Sequence, residues 1–140
     1  MEVICIVINP YPLMILFVID KSTLITERLA LLANETNDIT AIHTAVSFSE
    51  AIAVLQQVQP DVVLMDMNLP VAKSLALLKT IKKENSNTSF IVLFDEVNEI
   101  KKQYCDYLGV SFILDKYHDI EKIVPAINAL TSRKTVIQYP

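Results

Sequence analysis

Five times along this chain a short apolar run, often β-branched, gives way to a stretch with helical spacing. That alternation constrains the fold more than any other feature. The strand-like segments are Leu13 to Ile19, Ile39 to Ala45, Asp61 to Met65, Phe90 to Phe94 and Val110 to Leu114. The helix-like segments are Ser22 to Glu35, Ser47 to Gln59, Val71 to Glu84, Glu96 to Leu108 and Asp119 to Leu130. Several helical stripes are plain. Ile25, Leu29 and Leu32 share a face, as do Phe48, Ile52 and Leu55, and Leu75, Leu78 and Ile81. Ile100, Tyr104 and Tyr107 are in register in the fourth helix, and Ile120, Ile123 and Ile127 point inward in the fifth. Ser47 with Glu50 forms a capping box, and Pro60 stops the helix between them.

Alternation of this kind implies a parallel sheet covered by helices on both faces. Right-handed crossovers and five strands then favour a (βα)5 doubly wound, flavodoxin-like three-layer sandwich of strand order 2-1-3-4-5. The expected organisation is an N-terminal extension over 1–12, one domain over 13–131 and a C-terminal tail over 132–140. Cys5 to Ile8 can add an edge strand or pack on a partner, and the sequence leaves both open.

Composition narrows the function. With 52% apolar residues and a mean hydropathy of +0.40, the chain can bury a sizeable core. A net charge of −4 and the lack of a basic cluster argue against direct nucleic-acid binding. The apolar stretch Val3 to Ile19 is interrupted by Asn9-Pro10-Tyr11-Pro12, which disfavours membrane insertion, and it lacks a cationic start for a signal peptide. Cys5 and Cys105 match no metal or redox spacing and read as reduced thiols of a cytoplasmic protein. The single glycine, Gly109, follows a helix as a C-cap does. No glycine-rich phosphate loop is possible, which excludes P-loop NTPases and the usual dinucleotide-binding fingerprint.

The strand ends carry the chemistry. Asp20 follows the first strand, Asp66 the third, Asp95 the fourth and Lys116 the fifth. In the order 2-1-3-4-5 these strands are neighbours, and the switch point lies between the first and third. The four residues are therefore expected to converge. No Ser-His-Asp set or metal-type histidine pair accompanies them. A carboxylate can attack phosphorus to give an acyl phosphate, provided cations neutralise the transferred oxygens. Lys116 can supply one cation, and Mg²⁺ held by carboxylates and a carbonyl another.

The residues Leu16-Phe17-Val18-Ile19-Asp20, the run Pro60 to Pro70 around Asp66, and Leu108-Gly109-Val110 leading to Leu114-Asp115-Lys116 carry a resemblance. From about Leu13 to Leu130 the chain resembles the receiver domain of bacterial two-component response regulators. The resemblance implies that Asp66 is the phosphoacceptor and that Lys116 contacts the phosphoryl group. It also implies Mg²⁺ at Asp20, Asp66 and the backbone carbonyl of Asn68. Any catalysis would be self-phosphorylation and dephosphorylation, so the chain is not expected to be an enzyme otherwise.

Several positions depart from that pattern. Lys21 stands where the family has the second residue of an acidic Mg²⁺-binding pair, which weakens the site. Opposite charges ~4 Å apart at an effective dielectric of ~20 attract by roughly 4 kcal/mol before desolvation. Lys21 can thus replace the metal beside Asp66 or Asp20, or it can extend to solvent. Asp95 replaces the switch Ser or Thr; an ionised carboxylate cannot donate to a phosphoryl group and repels it. It can instead pair with Lys21 or Lys116, or serve as a displaced metal ligand. Ile113 replaces an aromatic switch residue, Tyr117 a frequent proline, and Val71 and Ser74 stand for glycines, which stiffens that loop.

Two function classes follow. One is a phosphoacceptor receiving from a histidine kinase or phosphotransfer protein and acting on a downstream protein target. The other is a degenerate pseudo-receiver, a phosphorylation-independent interaction module. A flavodoxin-like small-ligand binder is a third, disfavoured by the absence of a phosphate-binding loop. The resemblance places signalling contacts and a possible homodimer on the 96–130 face, with Lys101, Lys102, Tyr104 and the region around Tyr117 as candidates. His43 and His118 read as structural or exposed rather than phosphoryl carriers.

Overall fold

The computed structural model describes residues 14–36, 38–68 and 70–135, with side chains to residue 131. The extension over 1–12, Leu13 and residues 136–140 lie outside that range. The strands are β1 (Ile15–Ile19), β2 (Ala41–Ala45), β3 (Val62–Asp66), β4 (Ser89–Phe94) and β5 (Phe112–Asp115). The helices are α1 (Thr23–Ala33), α2 (Phe48–Leu55), α3 (Val71–Glu84), α4 (Glu99–Tyr107) and α5 (Ile123–Thr135), the last preceded by a 3-10 turn over Ile120–Lys122.

All strand pairs are parallel, and the order is β2-β1-β3-β4-β5, as the alternation predicts. The period-2 pattern of the central strands sorts their side chains into two cores. Phe17, Ile19, Val63, Met65, Phe90 and Val92 pack with Leu77, Leu78, Ile81 and Cys105 on the α2–α4 side. Leu16, Val18, Val62, Leu64, Ile91 and Leu93 pack with Leu29, Ile123, Ile127 and Leu130 on the α1/α5 side. Every residue of β3 is buried, including its terminal Asp66. Strand β3 therefore reads as a continuous apolar run rather than an alternating one.

Local chemistry sets the boundaries. Ser22 accepts the Ile25 N–H at the start of α1. Ser47 accepts the Glu50 N–H, and the Glu50 carboxylate reaches back to the Val46 N–H. The expected capping box thus closes one residue further out than its usual form. Helix α2 ends at Leu55, short of the expected Gln59, with Gln56 as its cap. Helix α4 starts at Glu99 rather than Glu96, because Asn98 accepts the Lys101 N–H and fixes the N-terminus there. It ends through Gly109 at φ +76, a conformation that a Cβ disfavours. Strand β5 then begins at Phe112 rather than Val110.

Two helical stripes differ from expectation. Ile100 is 79% exposed and Tyr107 84%, with Tyr104 also exposed; the residue of α4 that enters the core is Cys105. Ile120 is likewise exposed, because the first turn after β5 is 3-10 and rotates it away from the line of Ile123 and Ile127.

Candidate functional site

Three strand ends meet at the carboxyl edge of the sheet. Asp20 follows β1, Asp66 closes β3 and Lys116 follows β5; all three side chains are buried. Lys116 Nζ lies 2.7 Å from Asp20 Oδ2 and 3.4 Å from Asp66 Oδ2. One ammonium thus bridges two carboxylates. Each Oδ2 atom is thus ion-paired with Lys116, and neither has another polar partner among the described residues.

The other oxygen of each carboxylate is held by the backbone in the same way. Asp20 Oδ1 accepts the Ser22 N–H at 2.9 Å, and Asp66 Oδ1 accepts the Asn68 N–H at 2.9 Å. Each is a turn in which an aspartate caps the amide two residues on. This tie orients the free oxygen toward Lys116. The lysine is positioned in its turn by its own backbone: the Lys116 N–H donates to the Phe94 carbonyl at 2.8 Å. Asp115 accepts the Tyr117 and His118 N–H groups, and Asp119 accepts the Asp115 N–H, which closes the loop behind Lys116. Ser74 Oγ, buried in the first turn of α3, donates to the Asp66 carbonyl at 3.0 Å. Met67 N–H donates to the Leu93 carbonyl, which ties the acceptor loop to β4.

The electrostatics follow from burial. Burial pushes the Asp66 carboxyl above its ordinary range; the Asn68 N–H opposes this, the Asp20 charge adds to it, and Lys116 opposes it. For Lys116, burial works against the charged form, but the bond to Asp20 and the charges of Asp66 and Asp20 outweigh it and raise its pKa. Burial also raises the Cys105 thiol, which leaves it an inert core residue.

The residues expected to converge do so only in part. Asp20, Asp66 and Lys116 come together, and Asn68 lies beside them with its side-chain amide nitrogen buried and without a hydrogen-bond partner among the described residues. Asp95 does not join them: it is exposed at the rim and takes part in no ion pair among the described residues. Lys21 is exposed too and forms no such pair, so of the two positions open to it the structure shows the solvent-facing one. The Ser22 amide draws Asp20 inward while the intervening Lys21 is carried outward. Among the described residues, no group of three or more His, Cys, Asp or Glu is arranged to hold a metal.

Of the contact candidates, Lys101 is committed locally: its Nζ donates to the Glu96 carbonyl at 2.6 Å and lies over the Phe94 ring. Lys102 and Glu99 form an exposed pair at 3.9 Å. His43 sits half-buried in β2, and His118 is exposed beside Asp115. Ser74, Ser22 and Asp119 were not foreseen as site residues. The signal for Ser22 was the recurrent Asp-x-small spacing after a strand; nothing in the sequence marks the Ser74 bond to Asp66.

Comparison with known proteins identifies the family. A family model described as the response regulator receiver domain matches residues 16–128. The receiver domain of Francisella response regulator 1452 is 25% identical, with a TM-score of 0.74, over 85% of this chain and 97% of that one. The isolated RcsB receiver domain of Salmonella enterica serovar Typhimurium, solved in the presence of phosphomimetic BeF3−, is 19% identical with a TM-score of 0.77, covering 89% of this chain and 93% of its own. The response regulator domain of Thermotoga maritima CheB is 17% identical with a TM-score of 0.70, covering 91% and 100% respectively. The last two likenesses speak to the fold alone. No curated protein sequence matches the chain. Among the described residues, no helix is long and apolar enough to cross a membrane.

Proposed function

The chain belongs to the response regulator receiver family, and from that premise we propose that it accepts a phosphoryl group on Asp66 in a phosphorelay. The observation that carries the reading is the single buried ammonium of Lys116 spanning Asp20 and Asp66 at the switch point of the sheet. In the proposed step Asp66 Oδ2 attacks the phosphorus of a phosphohistidine. The new O–P bond forms as the N–P bond breaks, and the imidazole leaves with its electron pair. Lys116 is placed to follow the charge from the carboxylate to the phosphoryl oxygens. The Asn68 N–H and the Ser74 hydroxyl hold the aspartate's side chain and backbone still during the transfer.

Receiver domains generally bind Mg²⁺ at the acidic pocket. The donors here fit a hard cation: two buried carboxylates, each with one oxygen whose sole partner among the described residues is Lys116. Asp20, Asp66 and the backbone carbonyl of Asn68 would hold the ion. When bound it would supply the second positive charge against the phosphoryl oxygens. Lys21, exposed nearby, reduces the negative field that draws the ion in.

A pseudo-receiver is the second reading. Two observations favour it: Lys21 replaces an acid without replacing the metal, and Asp95 leaves the rim without a hydroxyl donor. In either case the chain would act by contact with a histidine kinase or phosphotransfer protein and a downstream target. Ile100, Tyr104 and Tyr107 on α4 offer an exposed apolar stripe for such a contact or for a homodimer.

The deciding experiment is intact-protein mass spectrometry after incubation with Mg²⁺ and a small-molecule phosphodonor, wild type beside Asp66→Asn. One phosphoryl group on the wild type and none on the variant is the expected result. An unmodified, folded wild type replaces the first reading with the second.

A further inference from the structure

A buried hydrogen-bond donor at the pocket is left without an acceptor. The Asn68 side-chain amide nitrogen is shielded from solvent and makes no hydrogen bond among the described residues. Such a donor is rare, because burial without an acceptor forfeits its bonds to water. The buried Oδ2 atoms of Asp20 and Asp66 are ion-paired with Lys116, whereas the Asn68 amide has no comparable partner. Backbone bonds fix where this residue stands. The Asn68 N–H donates to Asp66 Oδ1 at 2.9 Å, and the Met67 N–H before it donates to the Leu93 carbonyl. A side chain rooted there is long enough to reach a group carried by the Asp66 carboxylate.

The other side chains of the pocket show why a donor is needed. A phosphoryl group on Asp66 brings about two negative charges and three acceptor oxygens into a site that already holds Asp20. Lys116 is shared between two carboxylates. The Ser74 hydroxyl donates to the Asp66 carbonyl, and the Ser22 hydroxyl oxygen caps α1. Lys21 is exposed, and Asp95, also exposed, has no proton to donate when ionised. The Asn68 amide is a neutral donor beside the acceptor with nothing else to bind. Away from water, a hydrogen bond from it is stronger than one made in solvent.

Resting on the phosphoacceptor reading, we propose that the Asn68 side-chain amide donates a hydrogen bond to a phosphoryl oxygen on Asp66, supplying the neutral contact that Asp95 cannot give. In the transfer, Asp66 Oδ2 forms the new O–P bond as the bond between phosphorus and the leaving group breaks. The leaving group departs with that electron pair. The Asn68 amide gives up no proton; it meets negative charge as the charge builds on the transferred oxygens. Being already dry and unpaired, it has no water to shed when the phosphoryl group arrives. The cost of the unmet donor is thus carried by the resting protein and relieved in the phosphorylated one.

The test compares full-length wild type, Asn68→Ala and Asn68→Gln. Both substitutions keep the backbone N–H that ties Asp66 and the backbone carbonyl of position 68, and the φ there is not positive, so a new side chain meets no backbone strain. With Mg²⁺ and a small-molecule phosphodonor, the rate of phosphorylation by intact mass is expected to fall about tenfold or more in Asn68→Ala. Asn68→Gln, which keeps the amide, is expected to recover part of that loss. Mg²⁺ affinity by titration calorimetry is expected to be unchanged, and the melting temperature of Asn68→Ala not to fall, because an unmet donor has been removed. In wild type the nuclear magnetic resonance signals of the Asn68 side-chain N–H2 group are expected to move downfield on phosphorylation. Phosphorylation of Asn68→Ala at the wild-type rate overturns this inference alone. A slower rate that comes with an equal loss of Mg²⁺ affinity, and is not recovered by Asn68→Gln, also overturns it, since the residue then acts only by shaping the loop. A folded wild type that takes no phosphoryl group overturns the phosphoacceptor reading and this inference with it.

Discussion

The floor and the rim of the acidic pocket hold the same residue types and behave differently. On the floor, Asp20, Asp66 and Lys116 are buried and interlocked. On the rim, Asp95 and Lys21 follow directly after β4 and after Asp20, yet both are exposed and unpaired among the described residues. The difference is not one of charge but of direction. Asp20 and Asp66 are turned inward by the amides two residues on, whereas the chain after Asp95 runs out to the Asn98 cap of α4. A charge held in the interior interacts strongly with its neighbours, and one in water is screened. Function is therefore expected to depend steeply on the floor and to be tuned from the rim.

The sharpest break of that comparison is Lys116→Met set beside Lys21→Met. Removing Lys116 leaves two adjacent buried carboxylates without a cation, and the expected loss is about 3–5 kcal/mol at neutral pH by urea denaturation. The Lys21 variant is expected to stay within about 0.5 kcal/mol of wild type. Equal losses would erase the distinction between floor and rim. The Lys116 contribution is present below the ordinary lysine pKa and is lost only as pH rises through its raised folded-state value, so the two variants should converge in strong alkali.

Asp66→Asn comes next. The folded state holds the Asp66 proton more tightly than the unfolded chain does. Ionisation therefore costs the native state stability as pH rises from the ordinary aspartate value through the raised one, and the cost persists at neutral pH. The variant should be more stable than wild type by on the order of 1 kcal/mol at pH 7. Its melting temperature should change less between acid and neutral pH. A variant that is less stable at pH 7 would mean that the Lys116 pairing outweighs burial.

Ser74→Ala should cost about 1 kcal/mol, the usual worth of one buried hydrogen bond, and should slow phosphorylation by loosening Asp66. No change in either measurement would make the bond incidental. The smallest effect on stability, under about 0.5 kcal/mol, belongs to Lys21→Asp combined with Asp95→Thr. That pair is nonetheless expected to tighten Mg²⁺ binding by about tenfold or more, because the acid placed at position 21 adds more negative charge near the pocket than the loss of Asp95 removes. Titration calorimetry reads it directly, and unchanged affinity would show that the rim does not tune the site.

The sheet order was legible because the central strands are buried on both faces and can be written only as apolar runs. The meeting of Asp20, Asp66 and Lys116 was legible for the same reason, since strand order alone brings those ends together. Their inward turn was not, because it depends on backbone amides that every residue carries. Helix α4 shows the opposite failure. Ile100, Tyr104 and Tyr107 have faultless helical spacing but face outward, and a single cysteine provides the buried contact of that helix. Periodicity reports that a face is apolar, not which neighbour covers it.

Strand β1 lies between β2 and β3, and the Ile15 N–H reaches an Asp61 carboxylate 46 residues away. Strand β1 thus gains its second neighbour only after a complete β–α–β unit has been made. Loop closure over that distance must precede the contacts that reward it, which slows collapse relative to a helical bundle of equal size. During synthesis β1 and β2 would emerge first as an apolar pair with one side open. The interval before β3 leaves the ribosome is when this protein most needs protection from its own kind.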